Sequence, residues 1–236
     1  MPSDHCHAIA RLIDHSLLHP AMTDAELEAG CLSAAGWGVA SVCVKPYFVG
    51  RARQILDASG VHAGTTVGFP HGGHAIAIKV AEVRAALSQG AQELDMVINI
   101  GMAKSGNWSY LGDEIGAVLE AGHEGGALVK VIFENCYLDD EEKRRLCRIS
   151  REANADFIKT STGYGTGGAT EEDLKLMLEE AGDTMGVKAA GGIRSYPQVV
   201  HLWQMGVRRI GASQTEKILE ECRRAVQETS GPAGDR

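Results

Sequence analysis

No stretch of this 236-residue chain approaches the ~18 consecutive apolar residues that a membrane-spanning helix needs. The opening MPSDHCHAIARLID has neither a basic n-region nor a long apolar core, so a secretory signal is not expected and a cytoplasmic protein is. Positive charge is in deficit: 23 Lys and Arg face 31 Asp and Glu, a formal net charge of −8. That balance argues against general affinity for nucleic acid or anionic membrane, and an anionic substrate would need a locally positive site. The six cysteines include no C-x-x-C pair, so free thiols are expected rather than a disulfide framework. No linker, repeat or low-complexity tract divides the chain. A dinucleotide fingerprint is also missing, because GTGGAT (165–170) lacks the G-x-G-x-x-G spacing.

What is present is alternation. Short β-rich runs read as eight strands: Leu12 to Asp14, Ala40 to Val44, Gly64 to Gly68, Glu93 to Ile98, Leu128 to Phe133, Asp156 to Thr160, Gly186 to Ala190 and Arg208 to Gly211. Helical patterns lie between them. Thr23 and Thr170 precede acidic first turns as N-caps, and Gly60, Gly90 and Gly182 fall where helices should stop. Strand-helix alternation with short connections predicts a parallel sheet with right-handed crossovers, and eight units favour closure. The expected fold is one α/β domain over 1–236, a TIM (β/α)8 barrel with a short N-terminal extension and a loose tail from about 229.

Lys159 (DFIKTSTGYGTGG) and Lys188 (GVKAAGG) each sit in an apolar strand that ends in a glycine-rich turn. A buried ammonium costs several kcal/mol unless it is paired or serves chemistry. Two nearby cations lower the pKa of at least one, and a neutral lysine attacks carbonyls, so Schiff-base chemistry is expected. Asp14 (LIDHSLL) and Asp95 (ELDMVIN) read the same way near strand ends, where a barrel gathers its site. The bland alternative is an ion-pair lattice that serves stability alone. Gly163, Gly191, Gly192 and Ser213 follow strands six to eight, where backbone amides bind phosphate, although glycine also serves ordinary turns.

IDHSLLHP, SVCVKPYFV, TTVGFPHG, ELDMVIN, VKVIFENCYL, FIKTSTG, VKAAGGI and RIGAS, in this order from about Ile13 to Ala212, resemble the deoxyribose-phosphate aldolases, class I aldolases on a TIM barrel. The resemblance implies Lys159 as the Schiff-base lysine, Lys188 as the lysine that perturbs it, Asp95 as the acid working with Lys188 in a proton relay, and Asp14 near the relay water. It implies phosphate contacts from Gly163, Gly191, Gly192 and Ser213. The implied reaction is reversible cleavage of 2-deoxy-D-ribose 5-phosphate to acetaldehyde and D-glyceraldehyde 3-phosphate, with no cofactor and no metal. Two positions depart from the pattern. Gln214 replaces a second serine, and Tyr164 stands where some members carry a phosphate-binding lysine. They motivate a second reading, a Schiff-base aldolase for an unphosphorylated or differently phosphorylated short sugar. A non-catalytic phosphate-binding barrel is the third.

His5, Cys6, His7, His71 and His74 are read as solvated loop residues rather than zinc ligands, and Cys43 as a small core residue. Glu134 and Asn135 either position substrate hydroxyls or cap a turn. DDEEKRR (139–145) is a solvated helix start. The expected partners are small aldehydes and sugar phosphates, with a homodimer as the default assembly.

Overall fold

The computed structural model describes residues 2–230. Eight parallel strands close into a barrel in chain order: β1 Ile13–Leu17, β2 Ser41–Val44, β3 His62–Val67, β4 Glu93–Val97, β5 Leu128–Ile132, β6 Phe157–Lys159, β7 Gly186–Ala190 and β8 Arg209–Ala212. β1 pairs with both β2 and β8, which completes the ring. Helix α1 (Pro2–Ala10) precedes the barrel and is the expected extension. The outer layer is α2 Asp24–Trp37, α3 Val49–Leu56, α4 Ile76–Ser88, α5 Ile100–Lys104, α6 Trp108–Glu124, α7 Asp140–Glu152, α8 Glu171–Ala181, α9 Tyr196–Met205 and α10 Thr215–Ser230. The anticipated tail falls mostly outside the described residues, and its first two positions, Thr229 and Ser230, belong to α10.

The caps follow the sequence. The Thr23 side chain accepts from the Glu26 amide in a capping box, and Thr170 accepts from the Asp173 amide. Asp139 does the same for α7, so the acidic start of DDEEKRR is a working N-terminus. Apolar residues between sheet and helices, among them Leu94, Met96, Val129, Val131 and Ile158, are fully buried and form the main core.

One expectation about the strands needs correction. The strand ends are offset: β1 runs on to Leu17, so Asp14 is its second residue, and Asp95 and Lys188 sit at mid-strand. Only Lys159 ends its strand. The barrel interior is charged. Inward positions carry Asp14, Glu93, Asp95, Lys130, Lys188 and Arg209, which fill the middle of the barrel with charge.

The cysteines are a second correction. Cys6 on α1 and Cys222 on α10 form a disulfide, while Cys31, Cys43, Cys136 and Cys147 are free. The two partners lie 216 residues apart, so no local spacing reveals the pair. Their neighbours are likewise not loop residues. His5 and His7 lie on α1, and His5 Nε2 is 2.9 Å from the Tyr196 hydroxyl.

Candidate active site

The barrel register puts Asp95 beside Lys130 on β5, and Lys159 beside Lys188 on β7. The four residues singled out from the sequence do converge. Lys159 Nζ and Lys188 Nζ each donate to Asp95 Oδ2 at 2.7 Å. Lys188 Nζ also lies 2.6 Å from Asp14 Oδ2. That oxygen is buried and accepts no aligned hydrogen bond, so it keeps acceptor capacity at the foot of the cavity.

Three further charges complete the cluster, and the sequence reading missed them. Lys130 Nζ donates to Glu93 Oε2 at 2.7 Å and Asp95 Oδ1 at 2.8 Å. Arg209 donates to Asp14 Oδ1 at 2.5 Å and Glu93 Oε1 at 3.0 Å. The signal was available: Lys130 interrupts the apolar run LVKVI as Lys159 and Lys188 interrupt theirs, and Glu93 lies two residues from Asp95 on the same strand face. The ion-pair lattice weighed against chemistry is therefore real, and it surrounds the two lysines.

The lattice is unequal. Three carboxylates (Asp14, Glu93, Asp95) face four basic groups (Lys130, Lys159, Lys188, Arg209). Burial pushes the Lys159 amine down, Asp95 pulls it up, the Lys188 charge lowers it again, and the net direction is down. Burial also opposes the charge on Lys188, yet Asp14 and Asp95 overcome it and hold that ammonium above the ordinary lysine value. Lys130 is held well above it by Asp14, Asp95 and Glu93 against burial. Asp95 is disfavoured by burial, but Lys130, Lys159 and Lys188 bring it well below the usual carboxylate range. The one base in surplus is thus Lys159, the amine least able to keep its proton.

Lys159 opens upward into a cavity of about 500 Å³ at the C-terminal mouth of the barrel. Gly163, Gly191, Gly192 and Ser213 all line it. Gly191 needs to be glycine: it sits at φ 89°, and a Cβ there would stand 2.8 Å from the Gly168 Cα. This close approach locks the loop after β6 to the loop after β7. Arg194 also lines the cavity and was not foreseen; it lies two residues past Gly192 and brings positive charge to the glycine rim. Gln214 is exposed and does not line the cavity.

Glu134 and Asn135 serve structure here. Glu134 sits at φ 57° and accepts from the Thr162 amide at 3.1 Å and from the Thr162 hydroxyl, which fixes the start of the loop after β6. Asn135 is buried against Met177. Cys43 lies on the cavity wall, its thiol pushed up to about 11 by burial and by Asp95, so it stays protonated at neutral pH. Among the described residues no group of three His, Cys, Asp or Glu is placed to hold a metal ion, and no helix is long and apolar enough to cross a membrane.

Residues 8–218 match the DeoC/LacD family of aldolases. A deoxyribose-phosphate aldolase of Rhodopirellula baltica is 50% identical over 220 residues, covering 93% of this chain and 91% of that protein. One of Caldanaerobacter subterraneus is 51% identical over 214 residues, covering 90% and 93%. Among solved structures, a deoxyribose phosphate aldolase of Aeropyrum pernix, described as a unique tetramer, superposes with a TM-score of 0.85 at 30% identity over 95% of this chain and 92% of that one.

Proposed function

The chain belongs to the DeoC/LacD family of aldolases, and from that premise we propose that it cleaves 2-deoxy-D-ribose 5-phosphate reversibly to acetaldehyde and D-glyceraldehyde 3-phosphate through an imine on Lys159. The observation that carries the reading is the surplus amine: of the four basic groups in the barrel, Lys159 alone is driven toward its neutral form, and it opens to the cavity.

Neutral Lys159 attacks C1 of the open-chain sugar, and loss of water leaves a protonated imine. The C2–C3 bond then breaks, and its electron pair moves onto the imine nitrogen as an enamine. The C3 hydroxyl gives up its proton and becomes the aldehyde of glyceraldehyde 3-phosphate. That proton leaves through water toward Asp14 Oδ2, the Lys188 ammonium gives a proton to C2 of the enamine, and the proton held at Asp14 then restores the Lys188 charge. Hydrolysis consumes one water, releases acetaldehyde and restores the amine. Asp95 is held too far below the usual range to be a strong base, so its part is to hold the Lys188 ammonium and the Lys159 nitrogen in line, while Lys188 supplies the mobile proton.

The phosphorylated substrate is favoured over a neutral sugar because Arg194 and the glycine rim supply cationic and amide donors at the mouth. Tyr164 offers no charge there, and Gln214 takes no part. A cytoplasmic location belongs to the same proposal; the four free cysteines fit it and the Cys6–Cys222 bond runs against it.

Incubation with acetaldehyde and borohydride followed by peptide mapping tests the nucleophile, and turnover of deoxyribose 5-phosphate tests the reaction. The reading expects one reduced adduct at Lys159 and measurable cleavage. A label on another residue, or none, would sink it.

A further inference from the structure

The catalytic cavity is one of three that meet at the barrel mouth, and Tyr164 lines all three. A second cavity, of about 510 Å³, lies over the loops after β2 and β3, with Lys45, Tyr47, Phe69 and Pro70 in its wall. The third, of about 300 Å³, lies beside Glu134 and Tyr137. Leu18 is shared by the first two cavities.

Tyr164 belongs to the loop after β6, yet its partners stand across the ring. Its hydroxyl donates to the Leu18 carbonyl, just past β1, at 2.8 Å. Its ring meets Phe69, just past β3, edge-on at 5.5 Å between centroids. In a ring of eight strands, β1 and β3 are each three places from β6, so the side chain crosses the opening. The loop beneath it is held firmly. The Tyr164 amide donates to the Thr162 hydroxyl at 2.9 Å, Glu134 holds Thr162, and a Cβ on Gly165 would stand 2.9 Å from Cys136 Sγ. A fixed base and two opposite anchors make a crossbar.

The geometry points to Tyr164 as the residue that sets the size of the acceptor aldehyde, by closing the catalytic cavity off from the second cavity. Beyond the bar, Leu18, Pro46, Tyr47, Phe69 and Pro70 offer apolar and aromatic surface. The extension it fits is an aryl or alkyl chain on the aldehyde, carried away from the phosphate rim. The inference rests on the aldolase reading. An apolar pocket discriminates by about 10- to 200-fold per added methylene, so removing its wall should move selectivity visibly.

The experiment runs the reaction in the addition direction, with acetaldehyde as donor and either glyceraldehyde 3-phosphate or 3-phenylpropanal as acceptor, and reads the ratio of the two kcat/KM values. Tyr164→Ala should shift the ratio toward 3-phenylpropanal by about tenfold or more. Tyr164→Phe keeps the ring and loses only the bond to Leu18, so its shift should stay below about threefold. Tyr164→Leu, a smaller cut, should fall between the two and serves if the alanine variant does not fold. Borohydride trapping with acetaldehyde on each protein separates the two readings. An unchanged ratio in Tyr164→Ala and Tyr164→Leu with a Lys159 adduct still formed overturns the crossbar alone. A Tyr164→Phe shift as large as that of Tyr164→Ala overturns the steric assignment in favour of the hydrogen bond. Failure to trap any adduct on the unmodified protein overturns the aldolase reading and this inference with it.

Discussion

Lys159 and Lys188 reach the same oxygen, Asp95 Oδ2, each at 2.7 Å, and are direct neighbours in the β6–β7 pairing, yet their pKa values move in opposite directions. The difference is Asp14. It lies 2.6 Å from Lys188, and with Asp95 it outweighs burial for that ammonium, whereas Lys159 has only Asp95 and stays below the ordinary value. Two lysines with similar surroundings are thus set apart electrostatically, which suits the proposed division into a nucleophile and a proton donor.

Lys188→Met should therefore do two things. It removes the relay group, and kcat/KM for cleavage should fall by about 10²- to 10⁴-fold. It also takes a like charge away from Lys159 and leaves Asp95 more free to hold it, and both changes raise the Lys159 pKa. The rate of borohydride-trapped adduct against pH should move to higher pH. A profile that stays in place would show that Lys188 does not tune the nucleophile.

Lys159 itself should be a burden on stability. Its folded pKa lies below the unfolded lysine value of about 10.4, so between the two values the unfolded chain binds more protons at this site than the folded one. Stability from this group therefore rises with pH and its cost disappears above the unfolded value. Lys159→Met should abolish turnover yet raise the unfolding free energy at pH 7 by about 0.5–2 kcal/mol, with the gain shrinking toward pH 10. Urea unfolding of both proteins at the two pH values measures it, and a destabilised variant at pH 7 would contradict the direction.

Much of this was legible in the sequence, for a physical reason. Strand-helix alternation is a local property, so all eight strands and the caps at Thr23 and Thr170 could be read from neighbours in the chain. Lys159 and Lys188 stood out because a charge in an apolar strand demands a cause. Lys130 carried the same mark without a glycine-rich turn to draw notice to it, and Arg209 lay at the start of its strand, where a charge is unremarkable. What stayed hidden depends on closure of the ring. The shared Asp95 oxygen, the Tyr164 reach to Leu18 and the Cys6–Cys222 bond join residues 64 or more positions apart, and no local pattern encodes them.

Arg194 is the exposed cation on the glycine rim, and its effect should show in binding rather than in the chemical step. Arg194→Gln should raise KM for deoxyribose 5-phosphate about tenfold, as expected for loss of one charge-assisted contact, with kcat changed far less. Turnover of unphosphorylated deoxyribose should be unaffected, so the gap between the two sugars narrows. The effect should weaken at high ionic strength, because the group is solvent-exposed. Equal losses on both sugars would remove Arg194 from phosphate recognition.

Neither Cys6 nor Cys222 lines the catalytic cavity. Cys6 lies on α1, which precedes β1, and Cys222 at the middle of α10, which follows β8, so the bond ties the helix before the barrel to the helix after it. It closes a span of 216 residues, for which chain entropy sets an upper figure of about 5 kcal/mol, while disulfides typically contribute about 2–4 kcal/mol. The double variant Cys6→Ser with Cys222→Ser should lose that amount, a fall in Tm of about 4–16 °C for a domain of this size, while cleavage of deoxyribose 5-phosphate at 25 °C keeps its rate. Reduction of the unmodified protein should lower its Tm to the same value, and reducing agent should have no effect on the double variant. A loss of turnover in the still-folded variant would mean that the α1–α10 contact communicates with Lys159; an unchanged Tm would mean that α1 and α10 hold together by packing alone.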